Sequence, residues 1–309
     1  EIPNSNKKIE VEDHLFSIGY CFATEISDLL QNGQLQTVNN PFGTLFNPFS
    51  INTAVKKLHD AQYYEESDLI SFNEEVISLD HHSSFNSRFV HQTLDKINFQ
   101  IEQGNQFLRK TNWIVITYGS SFIYEFLPKK KLVANCHKIP DKYFEKRLLT
   151  NVELTDSIRE TIVNLTDIGK EDIQILFTVS PVRHTKDGMV ENNVSKSKLI
   201  TALQEVLPQF EHCHYLPVYE IVMDDLRDYR FYKEDLVHPN SQAINYIWEK
   251  FGNAYFSDET MDFIEENFKI AKSLGHKTTD EKNPKYQEFL EKLYSRISVQ
   301  QAKVKHKIF

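Results

Sequence analysis

The chain has 309 residues and a mass of 36.3 kDa, with 40% hydrophobic and 26% charged residues. This composition is typical of soluble globular proteins and excludes wholesale disorder. A formal net charge of −9 argues against nucleic acid as a partner, because phosphate contacts need clustered Lys and Arg. The three cysteines, Cys21, Cys136 and Cys213, have no C-x-x-C spacing, so we expect neither a disulfide framework nor a metal site.

Membrane insertion is not expected either. No run approaches the ~18 consecutive apolar residues that a bilayer span needs. The sequence begins without a basic-then-apolar leader, which favours a cytoplasmic location.

Short β-branched and aromatic runs alternate with longer helical patterns along the chain. The predicted strands are 14–18, 34–38, 113–118, 173–179 and 213–217. The predicted helices of this part are 22–31, 48–59, 87–109, 155–165, 194–206 and 241–251. This order predicts an α/β fold, a flavodoxin-like doubly wound sheet of five parallel strands with ligand sites at their carboxyl ends.

The character of the sequence changes at about residue 258. Two polar amphipathic helices are predicted over 259–274 and 284–299, with a charged break at 275–283. We therefore expect an α/β domain over 1–257 and a C-terminal helical extension over 258–309. The extension is either a hairpin packed on the domain or an oligomer contact, and the sequence leaves both open.

The first strand runs directly into GYCFATEISDLL, which places Gly19 and Tyr20 in a tight strand-to-helix turn. Many α/β hydrolases hold their nucleophile in such a turn, beside backbone N–H groups that stabilise an oxyanion. Alone, the pattern is more typical of an ordinary turn than of a nucleophile site.

A second motif, EDLVHPN, follows the fifth strand and places Asp235 three residues before His238. This spacing allows the carboxylate to orient the imidazole, which then acts as a general base. In a flavodoxin-like sheet, a base at this position returns over the first strand.

Five segments occur in order along about residues 19–251: GYCFATEI, NPFGTLFNPFSI, VANCHKIP, SPVRHTKDG and YEIVMDDLRDYRFYKEDLVHPN. As an ordered set they are far more specific than either motif alone. In these segments the chain resembles the GSCFA family, which is similar to the SGNH hydrolases. The resemblance implies an SGNH-type three-layer fold and ester hydrolysis through a covalent acyl-enzyme.

The resemblance also implies roles for individual residues. The family's serine nucleophile falls on Tyr20, with His238 as general base and Asp235 as its orienting carboxylate. The oxyanion would be held by the backbone N–H at residue 20, by Gly43 and by Asn135. Asn135 lies well beyond its strand, and Gly119 and Ser120 are closer to the usual start of that block.

Tyr20 departs from the family pattern. A phenol has a pKa near 10 and a more distant oxygen than serine, so serine-type attack should be lost. Three explanations stay open: a natural pseudoenzyme, a substitution at this position, or a changed chemistry that uses Cys21 or an activated water.

The substrate side of the site has weaker signals. His137, Arg183 and His184 are expected near the mouth of the sheet, where they would bind a carboxylate, a phosphate or sugar hydroxyls. The family analogy suggests esters of small molecules or carbohydrates as substrates. No cofactor is implied, because no Gly-rich phosphate loop is present. The alternatives are a non-catalytic module that binds a glycan or acyl ligand, and a structural protein that assembles through its C-terminal helices.

Overall fold

The computed structural model describes residues 2–275 and 283–309. Its strands are β1 (His14–Gly19), β2 (Gln36–Asn39), β3 (Ile70–Phe72), β4 (Glu75–Ile77), β5 (Trp113–Tyr118), β6 (Phe122–Phe126), β7 (Lys131–Val133), β8 (Phe144–Leu148), β9 (Gln174–Val179) and β10 (Cys213–Tyr215). Its helices are α1 (Cys21–Asn32), α2 (Pro48–His59), α3 (Val90–Leu108), α4 (Asn151–Ile168), α5 (Met189–Val206), the single turn α6 (Val218–Glu220), α7 (Ser241–Tyr255), α8 (Asp258–Leu274) and α9 (Pro284–Gln301).

The five strands expected from the sequence form one parallel sheet in the order β10-β9-β5-β1-β2. This is the flavodoxin-like strand order, so the predicted fold class is confirmed. The first strand lies inside the sheet, between β2 and β5, and all five carboxyl ends meet at one edge. Residues that follow these strands are therefore neighbours in space.

Helices cover both faces of the sheet because the strand side chains alternate between them. Phe16, Ile114 and Phe177 point into the core under α2 to α5. Leu15 and Trp113 point the other way, into the core under α1, α7 and α8. Such continuous apolar strands are typical of a parallel sheet buried on both sides.

Two smaller sheets were not predicted. The strands β7, β6 and β8 form an antiparallel sheet between β5 and α4, and β3 pairs with β4. The strands β6, β7 and β8 have three to five residues and each includes a charged side chain, as in the β8 sequence FEKRL, so they lack the apolar signal of a buried strand.

The helix α8 of the C-terminal extension shares the core on one face of the sheet. Phe263 and Ile264 of α8 are buried with residues of α1 and α7. The Asn267 amide donates a 2.9 Å hydrogen bond to the Gly33 carbonyl at the end of α1. The charged break predicted between α8 and α9 lies mostly at 276–282, outside the described residues. Among the described helices, none is both long and apolar enough to cross a membrane.

Candidate active site at the carboxyl edge of the sheet

The turn between β1 and α1 is fixed by Gly19, whose φ is +131°. A Cβ at this position would lie 2.1 Å from the Thr117 carbonyl oxygen, so only glycine fits beside β5. Tyr20 follows as the N-cap of α1, and its backbone N–H donates to the same Thr117 oxygen at 2.9 Å. Residue 20 thus lies at the carboxyl edge of the sheet, where the sequence places it.

The side chain of Tyr20 is 8% exposed and packs inside this edge. Its ring centroid lies 4.9 Å from that of Phe46 and 5.0 Å from that of His184. The ring also rests on Gly119, where a Cβ would come within 2.7 Å of the tyrosine Cγ. Burial raises the pKa of the Tyr20 phenol, and the neighbouring Cys21 raises it further. The phenol is therefore neutral and a poor nucleophile.

Cys21 is the neighbouring alternative nucleophile. Its side chain is half-buried, and burial raises the pKa of its thiol, an effect that the hydrogen bond with Tyr20 partly opposes. A reactive cysteine needs a lowered pKa, because the thiolate is the attacking species. The environment of Cys21 therefore does not favour nucleophilic chemistry.

Asp235 and His238 form the expected pair. The imidazole Nδ1 lies 2.7 Å from the Asp235 Oδ2, and the other carboxylate oxygen accepts from the backbone N–H groups of Val237 and His238 at 2.8 and 2.9 Å. These backbone bonds, followed by the bond from the His238 ring, lower the pKa of Asp235 to about 2. The carboxylate is thus ionised and fixes which imidazole nitrogen carries the proton.

The loop that carries this pair is tied to helix α1 and to the loop after β9. Lys233 forms a 3.6 Å salt bridge with Glu25 in the second turn of α1. The Arg183 backbone N–H donates to the Val237 carbonyl at 3.4 Å. The pair therefore lies at the same sheet edge as Tyr20, partly exposed to solvent.

A cavity of about 260 Å³ lies next to the Tyr20 ring, reached through the ring neighbours Phe46 and His184; Tyr20, Asp235 and His238 are not among its lining residues. The loops after β5 and β9 and the inserted antiparallel sheet form its walls. Its lining consists of aromatic, amide, hydroxyl and charged side chains together with Ala134 and Cys136: Phe46, Asn47, Ser120, Phe122, Tyr124, Asn135, His184, Lys186 and Asp187. Apolar walls with a few convergent polar groups are typical of small-ligand sites.

Gly43 lies against His82, a contact that the family resemblance does not imply. Its φ is +73°, and a Cβ there would lie 2.3 Å from the His82 Cβ. Its N–H donates to the Asn40 carbonyl at 2.7 Å, as the Tyr20 N–H donates to Thr117. The backbone N–H groups of Tyr20 and Gly43, both predicted to bind an oxyanion, are therefore hydrogen-bonded within the fold. The absence of a side chain at Gly43 permits close packing on His82.

The two predicted residues of the VANCHKIP segment separate. Asn135 lines the cavity, and its side-chain oxygen accepts a 2.9 Å bond from the His137 backbone N–H. The His137 ring is not part of the cavity lining; its Nε2 lies 2.7 Å from the Ser78 carbonyl oxygen. Burial lowers the pKa of His137.

The two predicted residues of the SPVRHTKDG segment also separate. The Arg183 guanidinium lies 4.4 Å from the centroid of the Tyr232 ring and 5.5 Å from that of Tyr229, next to the Asp235 loop. His184 lines the cavity, and its ring is tilted against that of Tyr20 at a centroid distance of 5.0 Å. Of the predicted polar groups, the cavity thus contains Asn135, His184 and also Ser120.

Lys196 is a residue of this region that the sequence did not single out. It lies on α5, fully buried, and its Nζ donates to the Gly119 and Ser180 carbonyl oxygens. A lysine at this point of a helix is typical of a solvated face, and only the helix period, which aligns it with Leu199 and Leu203, could have indicated burial. Within residues 2–275 and 283–309, no group of three or more His, Cys, Asp and Glu side chains is arranged to hold a metal ion.

Comparison with solved structures gives distant likenesses. A DUF4886 family protein from Bacteroides uniformis is 9% identical, with 95% of this chain and 97% of that chain covered and a TM-score of 0.40. The family 3 carbohydrate esterase of Clostridium thermocellum is 12% identical, with 82% and 98% covered and a TM-score of 0.34. At such low similarity neither structure bears on the chemistry of this chain. A search of curated proteins gave no match.

Family models give a clear assignment. The model of the GSCFA family matches residues 14–251, from the start of β1 to the second half of α7. The match covers the whole parallel sheet, the Tyr20 turn, the cavity walls and the Asp235–His238 pair. This chain therefore belongs to the GSCFA family.

Proposed function

We propose that the chain carries the active-site framework of an SGNH-like ester hydrolase, in which Tyr20 occupies the position of the serine nucleophile and prevents serine-type attack. The observation that carries the proposal is the Asp235–His238 pair, 2.7 Å apart, at the sheet edge where β1 ends at Gly19, directly before Tyr20. A carboxylate-oriented imidazole beside a strand-to-helix turn is the arrangement of a nucleophile and its base.

In such a site the roles follow from position. His238 would accept the proton of a hydroxyl at residue 20 while that oxygen attacks the ester carbonyl, and would return it to the leaving alcohol. Asp235 would stabilise the imidazolium that forms meanwhile. The first-turn N–H groups of α1 would face the developing oxyanion, because a helix N-terminus favours negative charge.

The cavity supports an acyl ester as the ligand. Phe46, Phe122 and Tyr124 offer apolar surface for an acyl chain or the face of a sugar ring. Asn135 and His184 offer hydrogen bonds to an ester carbonyl or a hydroxyl. We propose a small or carbohydrate-linked ester, with the acyl group held next to the Tyr20 ring.

A second candidate is a binding protein that holds such a ligand without cleaving it. The burial of Tyr20 favours this candidate, because its neutral phenol fills the space where serine and an acyl carbon would meet. Ligand binding without turnover is the outcome that this candidate predicts for the native chain.

The test compares hydrolysis of a chromogenic acetate ester by the native chain, Tyr20→Ser, and Tyr20→Ser combined with His238→Ala. We expect Tyr20→Ser to hydrolyse the ester at least about 10⁴-fold faster than the double variant, because loss of the base from a serine triad lowers kcat by roughly 10⁶. The native chain should match the double variant.

Equal rates for all three proteins, with a folded Tyr20→Ser variant and several acyl lengths tried, would contradict the hydrolase framework. If the native chain hydrolyses the ester and His238→Ala abolishes this activity, the result would instead contradict the blocking role of Tyr20. It would indicate that Asp235 and His238 activate a water molecule directly.

A further inference from the structure

The cavity at the carboxyl edge of the sheet has two facing walls of different origin. Phe122 and Tyr124 of β6 line it from the inserted sheet, and we call these two rings the aromatic wall. His184, Lys186 and Asp187 line it from the loop between β9 and α5. Because the two walls belong to separate parts of the chain, a contact between them sets how wide the cavity is.

Lys146 of β8 makes that contact. It lies directly opposite Tyr124 in the antiparallel pair of β6 and β8, so the two side chains share one face of the inserted sheet. Its Nζ lies 4.3 Å from the centroid of the Phe122 ring and 5.5 Å from that of the Tyr124 ring. The same ammonium forms a salt bridge with Asp187. One side chain thus connects the aromatic wall to the loop.

The part of the loop that Lys146 holds is the loop tip, residues 185–187, which forms a single 3₁₀ turn. The N–H groups of Asp187 and Gly188 donate to carbonyl groups of the same loop, at 3.3 and 3.1 Å. Within residues 2–275 and 283–309, no hydrogen bond or salt bridge other than that of Lys146 joins the tip to a different element. The position of the tip over the cavity therefore depends on this ion pair.

The ion pair is partly shielded from water. The side chain of Lys146 is 28% exposed and that of Asp187 is 16% exposed. Solvent and salt screen such a pair less than a fully exposed one, and the Phe122 ring adds a cation–π attraction for the same ammonium. The contact is therefore stronger than an ordinary surface salt bridge, yet it joins only two side chains.

We propose that Lys146 and Asp187 form a clasp, which holds the loop tip against the aromatic wall and must open for a ligand to enter the cavity. When the clasp opens, the tip moves away while His184 stays in place, because the His184 backbone N–H donates to the Asn192 side-chain oxygen on α5 at 2.9 Å. That the entering ligand is an ester rests on the proposed function. The clasp itself does not.

Cys136 provides a reporter of opening, because its half-buried thiol lines the cavity. The test measures the rate at which N-ethylmaleimide labels each cysteine, followed by peptide mass. Lys146→Met and Asp187→Asn each remove the salt bridge with little change of volume. Lys186→Met is the matched control, because Lys186 lies in the same loop tip and lines the same cavity but forms no salt bridge within the described residues.

The effect of charge on the reporter opposes the expected result. Burial, followed by the charge of Asp141, raises the pKa of the Cys136 thiol to about 11, whereas the charges of Lys186 and Lys146 lower it. Loss of either lysine charge alone therefore makes the thiol less reactive. Faster labelling in Lys146→Met reports opening of the cavity and not a change in the pKa of the thiol.

We expect Cys136 to be labelled about fivefold faster in Lys146→Met and in Asp187→Asn than in the native chain, which corresponds to about 1 kcal/mol at 1.4 kcal/mol per tenfold. The double variant should be labelled no faster than either single variant, because both substitutions remove the same interaction. In Lys186→Met the rate should equal the native rate or fall below it. Cys213, which is buried in the core, should keep its native rate throughout.

Native or slower labelling of Cys136 in a folded Lys146→Met or Asp187→Asn variant would overturn the proposal. An equal acceleration in Lys186→Met would overturn it as well, and so would a parallel rise at Cys213, because that rise reports loosening of the whole fold. If one variant does not fold, the other decides the question. Because thiol labelling needs no ester, failure of the clasp is distinguishable from a failure to find ester hydrolysis.

Discussion

Gly43, which the family resemblance assigns to the oxyanion hole, contributes to packing. Its backbone is left-handed, and a Cβ at this position would lie only 2.3 Å from the His82 Cβ, which leaves no room for a side chain. Gly43→Ala should therefore lower the free energy of unfolding by about 2–4 kcal/mol, from backbone strain and overpacking together. Urea denaturation measures this directly.

A matched control for that substitution is available at Gly275. It follows α8 with a φ of −72°, and the nearest atom to a Cβ there is 3.5 Å away. Gly275→Ala should change stability by less than about 0.5 kcal/mol. Equal effects of the two substitutions would contradict the packing role of Gly43.

Part of the site could be predicted from the sequence because it is local. Asp235 and His238 are three residues apart, and Tyr20 directly follows a strand, so short motifs were enough to find them. The cavity combines Phe46, Asn135 and His184, which only the tertiary fold brings together. Nothing in the sequence distinguished Arg183 and His137, which face other groups, from their neighbours that line the cavity.

At the scale of elements, a histidine joins the end of α2 to α4. The His59 ring nitrogens lie 2.7 Å from Asp60 and 2.7 Å from Asp167. Its bonds to Asp167 and then to Asp60 raise the pKa of His59 above that of an unfolded chain. The stabilisation is therefore fully present below about pH 6.5 and is lost as the pH rises through the folded pKa.

His59→Gln should accordingly destabilise the protein more at pH 5.5 than at pH 9. Because Asp167 is largely exposed, the difference between the two pH values should be a few tenths to 1 kcal/mol. Urea denaturation of both proteins at both pH values measures it. Asp167→Asn should remove much of the pH dependence, and a destabilisation that is constant with pH would contradict the ion-pair account.

The elements of the parallel sheet were predictable because each strand is an almost continuous apolar run between helical patterns. The run WIVITY is typical of a buried strand, and it forms β5 with the predicted bounds. The inserted sheet β6–β8 was not predictable in the same way. Its short strands depend on pairing with one another, and it supplies Phe122 and Tyr124 to the cavity.

At the scale of the whole molecule, the C-terminal extension bears on how the chain folds. Phe263 of α8 is 0% exposed and lies in the core that α1 and α7 share with the sheet. Phe263→Ala should cost about 3–5 kcal/mol and leave a single unfolding transition.

Tyr294→Ala on α9, where the side chain is 59% exposed, is the control and should change stability little. A different result would indicate that the helical extension over 258–309 unfolds independently of residues 1–257. In that case Phe263→Ala would produce a second, weaker transition and leave the main one at the native denaturant concentration.

The measurement that tests the central claim most directly is covalent labelling with a fluorophosphonate, followed by intact mass and peptide mapping. Tyr20→Ser should gain one phosphonyl group on the new serine oxygen as fluoride leaves. The native chain should stay unlabelled, and His238→Ala should slow the labelling of Tyr20→Ser strongly. A folded Tyr20→Ser variant that remains unlabelled, or is labelled elsewhere, would contradict the assignment of residue 20 as the nucleophile position of an ester hydrolase site.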